Sequence, residues 1–315
     1  MRSKRLISLL VAVCMMITML PLSAVTAFAA DTSTVHEAKD GEGIYRYAYK
    51  ENEDGETVTI TEFLGPVDPA NNGPYDIEIP TELDHHPVTG LGEYSFSGTY
   101  SPDHQTNHNL ISFCNQIQSV TIPESVTSIG KSAFEHCSKL DSLTIKGVAT
   151  SIGAYAFASC TSLTSLSLVG NFQTIGEQAF AYCGMTSLTT DADITSIGEY
   201  AFSHCTSLTS LSLTGSVQTI GYQAFACCTS LTSLSLTGDI QKIGDYAFGY
   251  CSSLYTATLS KNLTSIGTYA FEYCTSLNSI EIPGKVTEIG DYAFIDAGLT
   301  SVCLLYTSTS PRDPK

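Results

Sequence analysis

Apolar residues along most of this chain fall in one fixed register. The pair Ile-Gly recurs at Ile129, Ile152, Ile175, Ile197, Ile220, Ile243, Ile266 and Ile289, in steps of 23, 23, 22, 23, 23, 23 and 23 residues. An Ala-Phe pair follows each at fixed offset, placing Phe134, Phe157, Phe180, Phe202, Phe225, Phe248, Phe271 and Phe294. Three residues on comes cysteine, at Cys137, Cys160, Cys183, Cys205, Cys228, Cys251 and Cys274, with Ala297 in the last unit. Each unit closes with a leucine-spaced run such as Leu163-Thr164-Ser165-Leu166-Ser167-Leu168. That run alternates apolar and polar, which predicts a short strand with one apolar face. The Ile-Gly-x-x-Ala-Phe-x-x-Cys part predicts a tight turn followed by one or two helical turns. Its glycine permits a backbone conformation or a close approach that a Cβ would block.

One unit cannot bury Ile, Phe, Cys and Leu alone. Stacked units can, by pairing their strands into a parallel sheet with a spacing of about 4.8 Å. The expected fold class is therefore an α/β repeat: a solenoid with one short parallel strand per 23-residue unit and helical turns on the opposite face. Strands are expected to start near Leu143, Leu166, Leu188, Leu211, Leu234, Ala257 and Ile280. An earlier copy, Leu91-Gly92-Glu93-Tyr94-Ser95-Phe96, is interrupted. Its cysteine, Cys114, lies 18 residues past Phe96 where the other units need three, so a loop near 98–109 is pushed out of that coil. Ahead of it, residues 44–49 and 57–61 read as a hairpin across Asp54-Gly55. Residues 76–80 read as a first strand.

The motif Ile-Gly-x-x-Ala-Phe-x-x-Cys-x-x-Leu-x-x-Leu-x-Leu at 23 residues resembles the BspA-like leucine-rich repeat, also called the Treponema pallidum type. The resemblance covers about residues 84–302. It implies a leucine-rich-repeat solenoid on a secreted or surface-exposed bacterial protein, with adhesion or attachment to other proteins as the expected role. The domain reading is a signal peptide at 1–30, an N-terminal β cap at 31–90, an array of about nine units at 91–302, and a tail at 303–315.

Both ends of the chain carry their own signals. Arg2, Lys4 and Arg5 precede an apolar stretch from Leu6 to about Leu20, then Pro21 and Ala27-Phe28-Ala29-Ala30. That is the pattern of a secretory signal cut after Ala29 or Ala30, with no membrane insertion of the remainder. At the other end, Cys303 to Asp313 closely resembles the conceptual translation of a transposase sequencing adapter, differing at Thr309, where the adapter reads proline. Residues 303–315 are therefore expected to be read-through, with the natural chain continuing past Val302.

Composition narrows the partners. The 315 residues are 43% apolar and 14% charged, with 14 Lys plus Arg against 31 Asp plus Glu, a net charge of −17. Removing the three leader bases leaves 11 against 31, a net of −20. So acidic a chain is a poor ligand for nucleic acid or anionic membrane. No G-x-S-x-G, H-E-x-x-H or phosphate loop occurs, and no cofactor, metal or catalytic residue is expected. The cysteines lack C-x-x-C pairing. Disulfides between neighbouring coils are compatible with the spacing, but a small buried apolar residue satisfies the position, so free structural thiols are expected. Cys227, off the ladder, reads as the most exposed. His85, His86, His104 and His108 cluster in the cap and the inserted loop and read as solvated.

Outward positions remain for binding. On the strand face they form a hydroxyl ladder that includes Ser165, Ser167, Ser210, Ser212, Ser233 and Ser235. On the turn face they form an aromatic ladder, Tyr155, Tyr200, Tyr246, Tyr269 and Tyr292, interleaved with Gln178 and Gln223. The expected function is protein–protein interaction or adhesion with an extracellular partner from a host or neighbouring cell, without catalysis. The alternative is a glycan-binding or substrate-recruiting region of a larger secreted enzyme; the lack of Trp disfavours it.

Overall fold

The computed structural model describes residues 35–97, 113–190 and 192–305, of which 147–150 only in their backbone. The leader at 1–30, the inserted loop at 98–109 with His104 and His108, and residues 306–315 lie outside the described residues.

From Val58 onward the chain winds as a parallel β-solenoid. Two columns of strands run along it. The first holds the Ser-Leu-x-Leu runs: Ser142–Ile152, Ser165–Ile175, Ser187–Thr190, Ser210–Leu213, Ser233–Leu236, Thr256–Thr258, Ser279–Ile282 and Ser301–Leu304. The first seven start within a residue of their expected places. Pairing is parallel and in register, with Leu211 opposite Leu234 and Leu234 opposite Ala257. The last strand runs two residues beyond Val302, pairing Cys303 with Glu281 and Leu304 with Ile282. The second column is narrow and continuous. Ile129, Ile152, Ile175, Ile197, Ile220, Ile243, Ile266 and Ile289 stack in register from coil to coil. The first column breaks between Ser165–Ile175 and Ser187–Thr190, and again between Thr256–Thr258 and Ser279–Ile282. At the first break the coil is one residue short, and Cys183-Gly184-Met185 replaces the Cys-x-x-Leu of its neighbours.

The interior follows from the repeat. Phe134 through Phe294 stack ring on ring at 5.1–5.5 Å, nearly parallel. Each fully buried ring contributes about 1.5–3 kcal/mol through the area it removes from water. The glycine of each Ile-Gly pair permits close approach and not an unusual backbone. A Cβ on Gly221 would stand 2.8 Å from the carbonyl carbon of Gly198, and one on Gly244 would stand 2.7 Å from that of Gly221.

The cap imitates a coil. Tyr45–Glu51 and Val58–Pro66 form the antiparallel hairpin, and Val58–Pro66 then pairs in parallel with His86–Leu91, placing Ile60 opposite Leu91. Phe63 stacks on Phe96 at 5.4 Å, and Phe96 on Phe134 at 4.5 Å, so the cap lends the phenylalanine column its first ring. Tyr75–Glu78, expected as a first strand, pairs with Ile117–Ile122.

The helical turns are the expectation that fails. Each Gly-x-x-Ala-Phe-x-x-Cys segment is a chain of tight turns closed by i→i+3 bonds, as in Ala156 N to Gly153 O at 3.3 Å and Ala158 N to Tyr155 O at 3.0 Å. Two residues per coil sit in the left-handed region, for instance Tyr155 at φ 59° and Ser159 at φ 60°, or Tyr246 at 55° and Tyr250 at 62°. A helix cannot tolerate that inversion. The inversion turns the N–H toward the next coil: Tyr155, Phe157 and Ser159 donate to the carbonyls of Glu177, Ala179 and Ala181 at 2.8 Å. A left-handed non-glycine residue costs on the order of 1 kcal/mol. Intercoil bonds to buried backbone groups, worth about 0.5–1.5 kcal/mol each, offset that cost.

The cysteine expectation needs one correction. Cys114 and Cys137 are joined by a disulfide, with Cα atoms 5.0 Å apart. Cys114 thus takes the ladder position despite its displacement in sequence, and stacking brings the two within bridging reach. The other six ladder cysteines are free thiols. Each points its Sγ at the phenylalanine carbonyl of the preceding coil at 3.2–3.3 Å, as Cys228 does to Phe202. A thiol is small and apolar, yet can donate weakly to that carbonyl.

Candidate functional surfaces

The structure separates the two outward ladders on physical grounds. Ser165 and Ser167 are exposed; Ser210, Ser212, Ser233 and Ser235 are half-exposed, alternating with buried leucines. Their strands place equivalent hydroxyls opposite one another, Ser210 beside Ser233 and Ser212 beside Ser235. Among the described residues none of these six hydroxyls hydrogen-bonds to another protein group. The threonines just before two of these strands behave differently. Thr209, before Ser210, and Thr232, before Ser233, donate at 2.9–3.0 Å to backbone carbonyls of the preceding coil and so serve the fold.

The tyrosine ladder is largely committed to itself. Tyr155, Tyr200, Tyr246 and Tyr269 are half-buried and Tyr292 is exposed. Tyr246, Tyr269 and Tyr292 stack at 4.7 and 5.3 Å. Tyr200 meets Tyr222 edge-on at 5.2 Å, and Tyr222 meets Tyr246 at 5.9 Å. Gln178 donates to the Tyr155 hydroxyl at 2.9 Å. Burial raises the phenols of Tyr155, Tyr200 and Tyr246, and Glu177 adds to the rise at Tyr155. They therefore stay neutral at physiological pH.

A second aromatic column, four residues further along each unit, carries larger exposure. It contains Tyr182, His204, Tyr250 and Tyr273, with Tyr182–His204 stacked at 4.6 Å and Tyr250–Tyr273 at 5.0 Å. His136 holds the same repeat position in an earlier coil. Cys227 belongs to this column and is only half-exposed, with burial pushing its thiol up; Cys303 is the exposed thiol. Between the two aromatic columns runs a floor of small buried residues, Ala158, Ala181, Ser203, Ala226 and Gly249, where the next coil has Glu272.

His85 and His86 stand on the tight turn at Asp84, where His86 Nδ1 lies 3.0 Å from the Asp84 carbonyl. Among the described residues no group of three or more His, Cys, Asp or Glu side chains is placed to hold a metal ion. No helix among them is long and apolar enough to cross a membrane.

Residues 105–205 and 173–300 match the BspA type leucine rich repeat region, in six copies. The chain belongs to this family of bacterial repeat proteins. Among solved structures it is similar to a leucine-rich repeat protein from Bacteroides ovatus, with 25% identity, 82% of this chain and 70% of that one covered, and a TM-score of 0.59. It also matches the leucine rich repeat protein of T. pallidum at 20% identity, covering 82% and 88% of the two chains with a TM-score of 0.40. A leucine rich cell surface protein from Faecalibacterium prausnitzii matches at 21% identity, 90% and 97% coverage and a TM-score of 0.30. No curated protein matches the chain.

Proposed function

We propose that this protein is a secreted or cell-surface binding protein that holds an extracellular protein partner on its strand face and performs no catalysis in this segment. The observation that carries the reading is the contrast just described. Among the described residues, the outward serine hydroxyls at Ser165, Ser167, Ser210, Ser212, Ser233 and Ser235 make no hydrogen bond to another protein group, while Thr209, Thr232 and most ladder tyrosines are committed to the fold. A rigid row of donors and acceptors at strand spacing suits the edge or loops of another protein. The basic, apolar and small-residue pattern of the leader supports an extracellular location, and the acid excess disfavours polyanionic partners.

The glycan reading is weaker on geometry. Stacked rings such as Tyr250 and Tyr273 cover each other's faces, and sugars pack on open aromatic faces. The test is a binding screen of the purified protein against extracellular proteins and a glycan array. Replacing Ser210, Ser212 and Ser233 together by Glu is expected to abolish the protein contact, while Tyr200, Tyr246 and Tyr269 replaced by Ser leave it measurable. Hydrolysis of any peptide or polysaccharide by the purified protein would defeat the reading.

A further inference from the structure

One stretch of the strand face is not closed by the fold. Ser165–Ile175 pairs along its length with Ser142–Ile152 on one side. On the other side, among the described residues, it has no partner before Asn171, which meets Asp193. Ser187–Thr190 follows it in the column, yet pairs only with Ser210–Leu213. Over at least half of Ser187–Thr190 no Cα of Ser165–Ile175 comes within 8 Å, where paired strands lie about 4.8 Å apart. The cause is the short coil. Thr164, Thr209 and Thr232 each donate their N–H to the preceding coil at 2.8–3.0 Å, and Thr186 N, in the same repeat position, makes no such bond. The two coils meet at either end of the opening. Gly184 packs so closely on the Thr161 carbonyl that a Cβ would have no room, and Asn171 pairs with Asp193.

The opening leaves core groups without cover. Leu211, Leu213, Leu234 and Leu236 are buried in the closed part of the column, whereas Leu166 and Leu168, at the same repeat positions, are only half-buried. Val169 beside them is 55% exposed. A strand points half of its N–H and C=O groups to each side, so Ser165–Val169 and Ser187–Thr190 turn two rows of unpaired backbone groups toward each other. Such edges are templates for a further strand. A strand set between them needs two spacings, about 9.6 Å. Because the coils meet again two residues past Val169, the opening suits a short strand and not a folded domain. Inward side chains of that strand would lie beside Leu166, Leu168 and Leu188, and outward ones beside Ser165, Ser167, Ser187 and Thr189. No residue in 165–170 or 187–190 is charged. The occupant has to match this, since a carboxylate or ammonium turned into the seam would be buried without a counter-ion.

We propose that the seam between Ser165–Val169 and Ser187–Thr190 takes in an uncharged, extended peptide segment with alternating apolar side chains, as an added strand bonded along both edges. The segment belongs to a partner protein. The proposal rests on the strand-face reading and deepens it, because it names what that face takes from the partner.

The probe is the acetylated, amidated peptide Thr-Ser-Leu-Ser-Leu-Thr, the run that residues 209–214 contribute to the closed part of the column. The experiment is its NMR titration into the full chain, with amide hydrogen exchange. In the free chain the Thr186 amide should exchange faster than those of Thr209 and Thr232, and saturation with peptide should slow it. A strand bonded on both edges uses every amide. N-methylation of the peptide at its third residue, or at its fourth, should therefore weaken binding about 2- to 10-fold in either case, the loss of one backbone bond. Asp in place of both peptide leucines should abolish binding. Insertion of one Ser between Cys183 and Gly184 restores the 23-residue step; it should close the seam, abolish peptide binding and slow Thr186 exchange without peptide, with circular dichroism unchanged. Four outcomes would overturn the proposal: no saturable binding to the unaltered chain, a loss at only one of the two methylated positions, undiminished binding to a folded insertion variant, or self-association that protects the Thr186 amide without peptide, which gives the seam to a second copy. A protein partner that tolerates the insertion but is lost when Ser210, Ser212 and Ser233 become Glu sinks the seam and leaves the strand-face reading standing. Methylation-sensitive peptide binding supports the seam even where the screen yields no strand-face partner, so the two fail separately.

Discussion

The strand face and the turn face of each coil are built from the same 23 residues, yet use their polar groups in opposite ways. On the turn face, backbone N–H groups, phenols and amides bond or stack along the solenoid axis, as Tyr155 N does to Glu177 O and Gln178 to the Tyr155 hydroxyl. On the strand face, the backbone is committed to the sheet while the serine hydroxyls point outward, without protein partners among the described residues. The difference arises from backbone geometry. A left-handed residue aims its own N–H along the axis, so the turn closes on itself. A strand aims its side chains alternately in and out, so half of them are free of the fold.

Both faces rest on one interior, and the largest expected effect is there. Phe225→Ala removes a ring stacked between Phe202 and Phe248 and should cost about 3–5 kcal/mol in urea unfolding. A cost below that of a turn-face tyrosine would mean the column is not the core. Gly221→Ala should cost about 1–3 kcal/mol by forcing a Cβ onto the backbone of Gly198. A neutral outcome would show that coils can slide apart at the corner.

Alkali should act through the thiol column. Burial raises Cys183, Cys205, Cys228 and Cys251 well above the ordinary 9.0, and pushes Cys274 up to about 12. Below pH 9 these thiols are neutral in both folded and unfolded chains, and their contribution is fully present. As pH rises past 9 the unfolded chain loses its thiol protons first, so stability should fall by about 1.4 kcal/mol per pH unit for each thiol until the folded pKa is reached. Melting temperature against pH checks this, and Cys274→Ala should flatten the slope between pH 9 and 12.

The smallest effects compare the two faces directly. Tyr246→Ser breaks the stack with Tyr269 and should cost about 0.5–1.5 kcal/mol. Ser233→Ala should change stability by less than about 0.5 kcal/mol. Equal effects in paired thermal melts would erase the distinction between a face committed to folding and one left for binding.

The cap shows how far a one-dimensional pattern reaches. Residues 57–61 read as half of a hairpin from alternation alone, but nothing in their spacing announces that Ile60 and Phe63 stand in for the Ile and Phe of a coil. Only the parallel pairing with His86–Leu91 and the stacking on Phe96 reveal it. Cys114 was legible as a displaced ladder residue through the 15-residue excess; its bond to Cys137 was not, because the same spacing leaves six other thiols free.

What the sequence alone determined is the translational part of this protein: the 23-residue step, the residues that face inward, the strand starts and the family. A repeat places each side chain against its own copy, so burial follows from spacing without any long-range information. What only the tertiary structure decided is conformation within the unit and the fate of each polar group. The spacing Ile-Gly-x-x-Ala-Phe-x-x-Cys is close to helical, and a single unit has no reason to place Tyr or His at positive φ. The neighbouring coil provides that reason, because carbonyls such as those of Glu177 and Ala181 await the N–H groups that the inversion turns toward them.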